Sequence, residues 1–338
     1  MNITTLGINL AKTVFQLHGV DERGRVALTK RLTRQQLLPF LANLPPCLIG
    51  LEACSGAHYW AREIQQLGHQ VRLIAPQLVK PYVRGDKTDR HDAAAICEAV
   101  SRPQMRFVPI NTVAQQDIQS LHRIREQLVK SRTAVANQLR GLLQEYGIVI
   151  PSGIRRLRTR VPSILEEADN GLTALGRELI YDLYGRLQTL DEQVTQYDRR
   201  IEQVFQRDER CQRLAAVEGV GPLSATAFLA AVGDASVFAH GRQVAAWLGL
   251  VPKQASSGGK IRLAGISKRG DSYLRTLLIR GARAAVQAAT HQRDARSDWI
   301  KRLRDRRGKN VATVALANKN ARILWALLAT GERYRKAA

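Results

Sequence analysis

Three short runs near the start of the chain, ITTLGI, VFQLHGV and RVALTKRL, are rich in apolar and β-branched residues and are separated by tight polar turns such as DERG. Runs of this kind bounded by turn residues read as strands of an antiparallel meander. The pattern then becomes an alternation: a helix in RQQLLPFLANL, the apolar strand CLIGLE, a helix in HYWAREIQQLG, the strand QVRLIA, and a helix beginning near Thr88. A meander followed by strands reached through helices leaves few sheet topologies open, because connections are short and do not cross.

The order βββαβαβα is that of a ribonuclease-H-like α/β domain, expected over residues 1–110. Beyond it the pattern is helical. Leu121, Ile124, Leu128, Val135, Leu139 and Leu142 form one seam, stopped by Gly147 and Pro151. Leu183, Leu187, Leu190, Val194, Tyr197, Ile201 and Val204 form a second, at strict heptad spacing. Residues 111–208 are therefore expected to be a helical coiled-coil hairpin, internal or between subunits. Residues 209–338 are expected to be a third, mainly helical domain interrupted by a loop rich in Ser, Gly and Lys.

The 52 Lys and Arg residues against 29 Asp and Glu leave a formal charge of +23, well above the magnitude of about 2 to 8 that suits a small domain. Such an excess calls for a polyanion, either nucleic acid or an anionic membrane surface. Membrane is the weaker choice: no apolar run approaches the roughly 18 to 20 residues of a span, and MNITTLGINLAK lacks a signal-peptide pattern. The chain reads as cytoplasmic. Cys47, Cys54, Cys97 and Cys211 form no CxxC pair, which disfavours a zinc ribbon or a disulfide framework and leaves all four as packing residues.

Within this frame the acids are conspicuous. Glu52 ends the apolar strand CLIGLE, where a carboxylate is costly unless it is paired or bound to a hard cation. Asp89 and Asp92 lie three apart in the first turn of a helix, on one face, where Thr88 or Asp89 could instead serve only as a cap. The topology predicts a further carboxylate at the end of the first strand. The residue there is Asn9, whose carbonyl oxygen can ligate Mg²⁺ without adding charge. Asp21 and Asp86 are poorer substitutes.

Three basic or glycine-rich segments accompany the acids. Gly219-Val220-Gly221-Pro222 joins two apolar helices as a helix-hairpin-helix signature, in which Gly219 and Gly221 would let the backbone approach a phosphate. From Lys253 to Arg283 eight cations accompany one acid, Asp271, with Lys253, Lys260, Arg262, Lys268 and Arg269 as candidate phosphate contacts. SSGGK within it does not match a Walker A loop and reads as a flexible basic binding loop. Arg155, Arg156, Arg158 and Arg160 make a further positive cluster, either a solvated turn or a phosphate contact.

Taken together, GINLAKTVFQLHG, LEACSGAHYWARE, KTDRHDAAAI, VEGVGPLSATAF, LVPKQASSGGKIRLAGISKRGDSYLR and VALANKNARILWALL resemble the DEDD transposases of bacterial insertion sequences, relatives of the pilin-gene invertase. The likeness runs over nearly the whole chain. It implies a RuvC-like N-terminal domain and a C-terminal transposase domain. It also implies Mg²⁺ held by Asn9, Glu52, Asp89 and Asp92, with Asn9 standing where the family pattern has Asp.

The resemblance further implies a DNA recombinase that acts on donor and target DNA through a serine nucleophile and a covalent protein–DNA intermediate. Carried over by motif, that serine is Ser257, with Ser256 the alternative. A structured noncoding "bridge RNA" as guide, assembly as a dimer of dimers and a nucleoid-associated location are implied in the same way. Two other functions compete: a Mg²⁺-dependent, resolvase-like endonuclease that hydrolyses with water and forms no covalent intermediate, and a non-catalytic nucleic-acid-binding protein.

Overall fold

The computed structural model describes residues 2–86 and 88–335, which form two compact units, residues 1–112 and 113–338. In the first unit the meander forms as β1 (Thr5–Leu10), β2 (Val14–Val20) and β3 (Val26–Thr33). Asp21 closes its second turn by accepting the backbone N–H groups of Arg23 and Arg25, both at 2.9 Å. That carboxylate is occupied in an Asx turn and so does not substitute for an acid at position 9.

The chain continues through α1 (Leu37–Ala42), β4 (Leu48–Glu52), α2 (Ala57–Gln66), β5 (Gln70–Ile74), a short α3 (Pro76–Val79) and α4 (Asp89–Val100). With β6 (Phe107–Val108) the sheet order is β3-β2-β1-β4-β5-β6, in which β1, β4 and β5 are mutually parallel. This is a mixed, ribonuclease-H-like sheet with helices on both faces. The closing strand β6 (Phe107–Val108) pairs antiparallel to β5 and is too short to leave a sequence pattern.

The two faces are sorted by residue parity. Leu6, Ile8, Phe15, Leu17, Ile49, Leu51, Val71 and Leu73 are buried in one core with α1 and α2. The stripe on α2 that meets them, Ala57, Trp60, Ala61 and Ile64, has helical spacing. The opposite face carries α4, and there β1 and β4 present Gly7 and Gly50.

In the second unit α5 (Val113–Glu145) and α7 (Ala174–Arg207) are long helices packed along each other. Arg125 pairs with Asp198 at 2.5 Å and Arg132 with Asp191 at 3.1 Å, so position rises along one helix as it falls along the other and the pair is antiparallel. All seven heptad positions of α7 are buried or half-buried. The α5 seam differs from the expected one. Ile124 and Leu142 are exposed, whereas His122 and Leu143 are buried, because α6 (Ile154–Glu166) and α9 (Pro222–Val232) pack on α5 beside α7 and widen its covered face.

The arginine cluster, open between turn and phosphate contact in the sequence, lies on a helix, α6 (Ile154–Glu166), whose buried Leu157, Val161 and Ile164 seat it on α5 and α7. The remaining chain folds as α8 (Glu209–Ala215), α9 (Pro222–Val232), α10 (Gly241–Trp247), the hairpin β7 (Pro252–Gln254) and β8 (Leu263–Ile266), α11 (Ser272–Ala288), α12 (Ala295–Arg307) and α13 (Lys309–Thr330), around one apolar core. Cys47, Cys97 and Cys211 are buried in packing positions. Cys54 is exposed, at the turn after β4, and is not a core residue.

Candidate active site and nucleic-acid surfaces

The acidic site is positioned by two glycines. A Cβ at Gly7 would run into the Ala93 carbonyl and the Cys97 backbone, and one at Gly50 would lie 2.8 Å from Val100 Cβ. Only glycine at both positions lets α4 sit this close to the sheet. Two residues further along each strand, and so on the same face, come Asn9 and Glu52. The β1–β4 register pairs Ile8 with Leu51, so these two emerge side by side at the strand ends.

The start of α4 meets them. Thr88 is its N-cap, with Oγ1 accepting from His91 N–H at 3.2 Å. The capping role is therefore filled, and the Asp89 carboxylate faces the sheet instead, accepting from Asn9 Nδ2 at 3.2 Å. Asp92 follows in the same turn. His91 Nδ1 is hydrogen-bonded to the Asp86 carbonyl at 2.7 Å, which ties the preceding loop to the helix.

His18 was not singled out by sequence. It pairs with Gly7 in the β1–β2 register and half-faces α4; burial, then the Arg90 charge, push its pKa below the usual imidazole value.

Glu52, Asp89, Asp92 and the Asn9 carboxamide offer only hard oxygen donors, which suits a divalent cation of the Mg²⁺ type and not zinc. Among the described residues no group of three or more His, Cys, Asp or Glu side chains closes on one point. The Asn9 carboxamide meets Asp89 through a neutral-donor hydrogen bond, not through a second carboxylate.

The basic segments are sited differently from expectation. Ser257 bridges to Lys260 across Gly258 and Gly259, which have φ of +54° and +75°. Two consecutive positive-φ residues are what a type I′ two-residue hairpin requires, so SSGGK is the tip of the β7–β8 hairpin and not a shapeless loop. Ser256 Oγ accepts from Arg262 N–H at 3.2 Å and from Gln254 Nε2 at 3.0 Å, a turn-fixing role.

Lys253, Lys260 and Arg262 are exposed along this hairpin, and Lys268 and Arg269 at its base. Lys268 is the one non-glycine residue with positive φ among those described, at +56°. Its N–H donates to the Gly249 carbonyl at 3.1 Å, and a Cβ at Gly249 would collide with the Arg269 backbone. Tight packing over-determines this strained turn and holds its two cations outward.

Gly219, with φ of +82°, turns the chain between α8 and α9, but its close approach is to protein: a Cβ there would lie 2.5 Å from the Gly281 carbonyl on α11. Gly221 is the exposed N-cap of α9, ahead of Pro222 at its first turn, with open space around it. Of the two glycines, it is Gly221 that presents backbone outward. On α6, Arg155 and Arg156 are exposed, while Arg158 is held by both oxygens of Asp191.

A mixed sheet of this order, with an acid at the end of a central strand and two more at the start of the helix across it, defines the ribonuclease-H-like class. Comparison with known proteins narrows it. A model of IS110-type DEDD transposases matches residues 6–148, and one described as "Transposase IS116/IS110/IS902 family" matches residues 211–297. The chain is 54% identical to a "Probable family 20 transposase" of Pseudomonas aeruginosa, covering 99% of each. It is 48% identical to the "Transposase for insertion sequence element IS1111A" of Coxiella burnetii, over 99% of this chain and 92% of that one. It is 41% identical to the "Transposase for insertion sequence element IS1328" of Yersinia enterocolitica, over 99% of each. The chain belongs to the IS110 family of DEDD transposases.

That assignment corrects one expectation. The matched family is a ribonuclease-H-like transposase family defined by its acidic residues, so the reading of a serine-nucleophile recombinase with a covalent intermediate does not stand. The geometry around Ser256 and Ser257 gives turn chemistry as the reason for those residues. No described helix is long and apolar enough to cross a membrane.

Proposed function

We propose that this chain is a Mg²⁺-dependent transposase that cuts DNA strands by water attack at the Asn9, Glu52, Asp89 and Asp92 site. The observation that carries the reading is the 3.2 Å contact of Asn9 with Asp89 across β1 and α4, beside the strand-terminal Glu52. Those four residues would hold the cation, which when bound lowers the pKa of a water and offsets charge on the phosphate. Thr88 fixes the helix start, Asn9 orients the Asp89 carboxylate, and the close packing at Gly7 and Gly50 holds both acid-bearing elements in place.

DNA phosphates would be held by Gly221 at the start of α9, in a helix-hairpin-helix role, and by Lys253, Lys260, Arg262, Lys268 and Arg269. The boundaries 1–110, 111–208 and 209–338 serve as catalytic, spacing and DNA-binding regions. A noncoding guide RNA is a second polyanion that the net charge of +23 can accommodate, and the α5–α7 pair is the candidate element for assembling a homo-oligomer in a coiled-coil manner.

The test is strand cleavage of DNA carrying the insertion-sequence ends, with and without the element's own noncoding RNA, in Mg²⁺ or EDTA, resolved on a denaturing gel. Free, Mg²⁺-dependent DNA fragments are expected. Fragments retained as a protein-linked band would overturn hydrolysis by water.

A further inference from the structure

In the second unit a groove of about 780 Å³ runs between α10, α12 and α13. Arg242, Lys319 and Arg322 line it with His240, Asn318 and the half-buried Trp299, and no carboxylate is among the lining side chains. Lys319 Nζ stands 4.5 Å from the centroid of the Trp299 ring. Burial, then the charges of Arg296 and Arg322, hold the Lys319 pKa below the usual lysine value. The cost of gathering these cations is therefore not offset from within the groove: Arg296 has Glu218 at 3.1 Å, whereas the lining itself supplies no acid.

Cations at close spacing around a recessed indole match one ligand chemistry, a phosphodiester carrying an accessible base. A duplex keeps its bases stacked inside and cannot bring one to a recessed ring, whereas an unpaired strand can stack a base on an aromatic side chain while its phosphates meet the cations. Asn318 donates to the Leu250 carbonyl at 3.1 Å, just before β7, so the groove wall is joined to the base of the basic hairpin. A strand leaving the groove would continue along that surface.

We propose that the α10–α12–α13 groove is a subsite for unpaired DNA, with phosphates on Arg242, Lys319 and Arg322 and a base against Trp299. It rests on family membership, which makes DNA the substrate, and not on the acidic site, so the test is run in EDTA, where failure of strand hydrolysis leaves the readout untouched.

The experiment is fluorescence anisotropy of the full chain with a labelled mixed-sequence single-stranded DNA, the same sequence as duplex, and the same sequence as unpaired RNA. Trp299→Leu is expected to weaken single-stranded DNA binding by about 5- to 160-fold, the range of one lost base-stacking contact, while duplex affinity changes by less than about twofold because its phosphate contacts lie elsewhere. Arg322→Gln, at an exposed position and with the Cβ that faces Gly241 retained, is the second variant and should weaken the same arm. Unchanged single-strand affinity in a folded variant, an equal loss on duplex, or a loss confined to RNA would each overturn the proposal.

Discussion

In the first unit Gly7 and Gly50 bring a helix down onto a sheet, and the side chains just beyond them, Asn9 and Glu52, are polar, Asn9 donating to Asp89 at the helix start. In the second unit Gly219 and Gly281 bring a loop against a helix, and their neighbours Val220 and Ala282 are buried in apolar core. The same device of missing Cβ atoms thus serves a candidate site in one unit and packing in the other. What separates the two is the neighbour: beyond the close approach the first unit places oxygen donors near the ends of its strands, and the second places apolar side chains.

Substitution of the acids should separate the units most strongly. Glu52→Gln and Asp89→Asn are each expected to lower DNA strand cleavage by about 100-fold or more, the scale of losing one well-placed electrostatic group. Thermal unfolding should change little, and DNA-binding affinity should be retained. A large loss of stability would move these acids from chemistry to structure.

The polar node of the second unit predicts a pH effect. His122 is buried, within 3.0 Å of both Tyr273 Oη and Thr226 Oγ1, and burial, with a smaller contribution from Arg125, lowers its pKa from 6.5 to about 4. The unfolded chain therefore binds a proton between these values and the folded chain does not. The neutral form's stability is fully present above about pH 6.5 and is lost as pH falls towards 4, by about 3 kcal/mol at most. Denaturant unfolding at a series of pH values checks this, and His122→Gln should abolish that part of the slope.

The glycine contacts test the comparison itself. Gly7→Ala and Gly281→Ala each force backbone apart and should cost about 1 to 3 kcal/mol, whereas Gly185→Ala, in the interior of α7 with open space around it, should stabilise by about 0.4 to 1 kcal/mol. Chemical denaturation distinguishes these signs. Only Gly7→Ala should also impair cleavage.

Asn9→Asp sharpens the site. It places a second carboxylate against Asp89, so without metal the two repel and one holds its proton more tightly. The expected outcome is a greater thermal stabilisation by Mg²⁺ than in the parent chain, together with faster cleavage. An equal Mg²⁺ response in both would remove position 9 from the ligand set. The smallest effect belongs to Arg155→Gln with Arg156→Gln: stability within about 0.5 kcal/mol, and a shallower salt dependence of nucleic-acid binding read by titration.

Most of the first unit was legible in the sequence because each element carried its own period. Strand parity, the turn at Asp21 and the cap at Thr88 are local. Glu52, Asp89 and Asp92 were legible for the same reason, as acids at element ends. The second unit was harder. Leu142 and Ile124 fit a heptad on paper, yet α5 is covered by three helices, and the stripe that survives burial includes His122 and Leu143 instead. Residues SSGGK carried a hairpin signal in their paired glycines, but without apolar alternation around them the flanking strands were not visible.

The sequence by itself determined the element order, the excess of positive charge and the placement of acids at strand and helix ends, since these follow from local periodicity and composition. Only the tertiary structure decided that Asn9 touches Asp89, that Gly219 needs Gly281, and that Arg242, Trp299, Lys319 and Arg322 share one groove. Those contacts join residues up to 80 positions apart, and what sets them is the packing of whole helices and sheets, which no local pattern encodes.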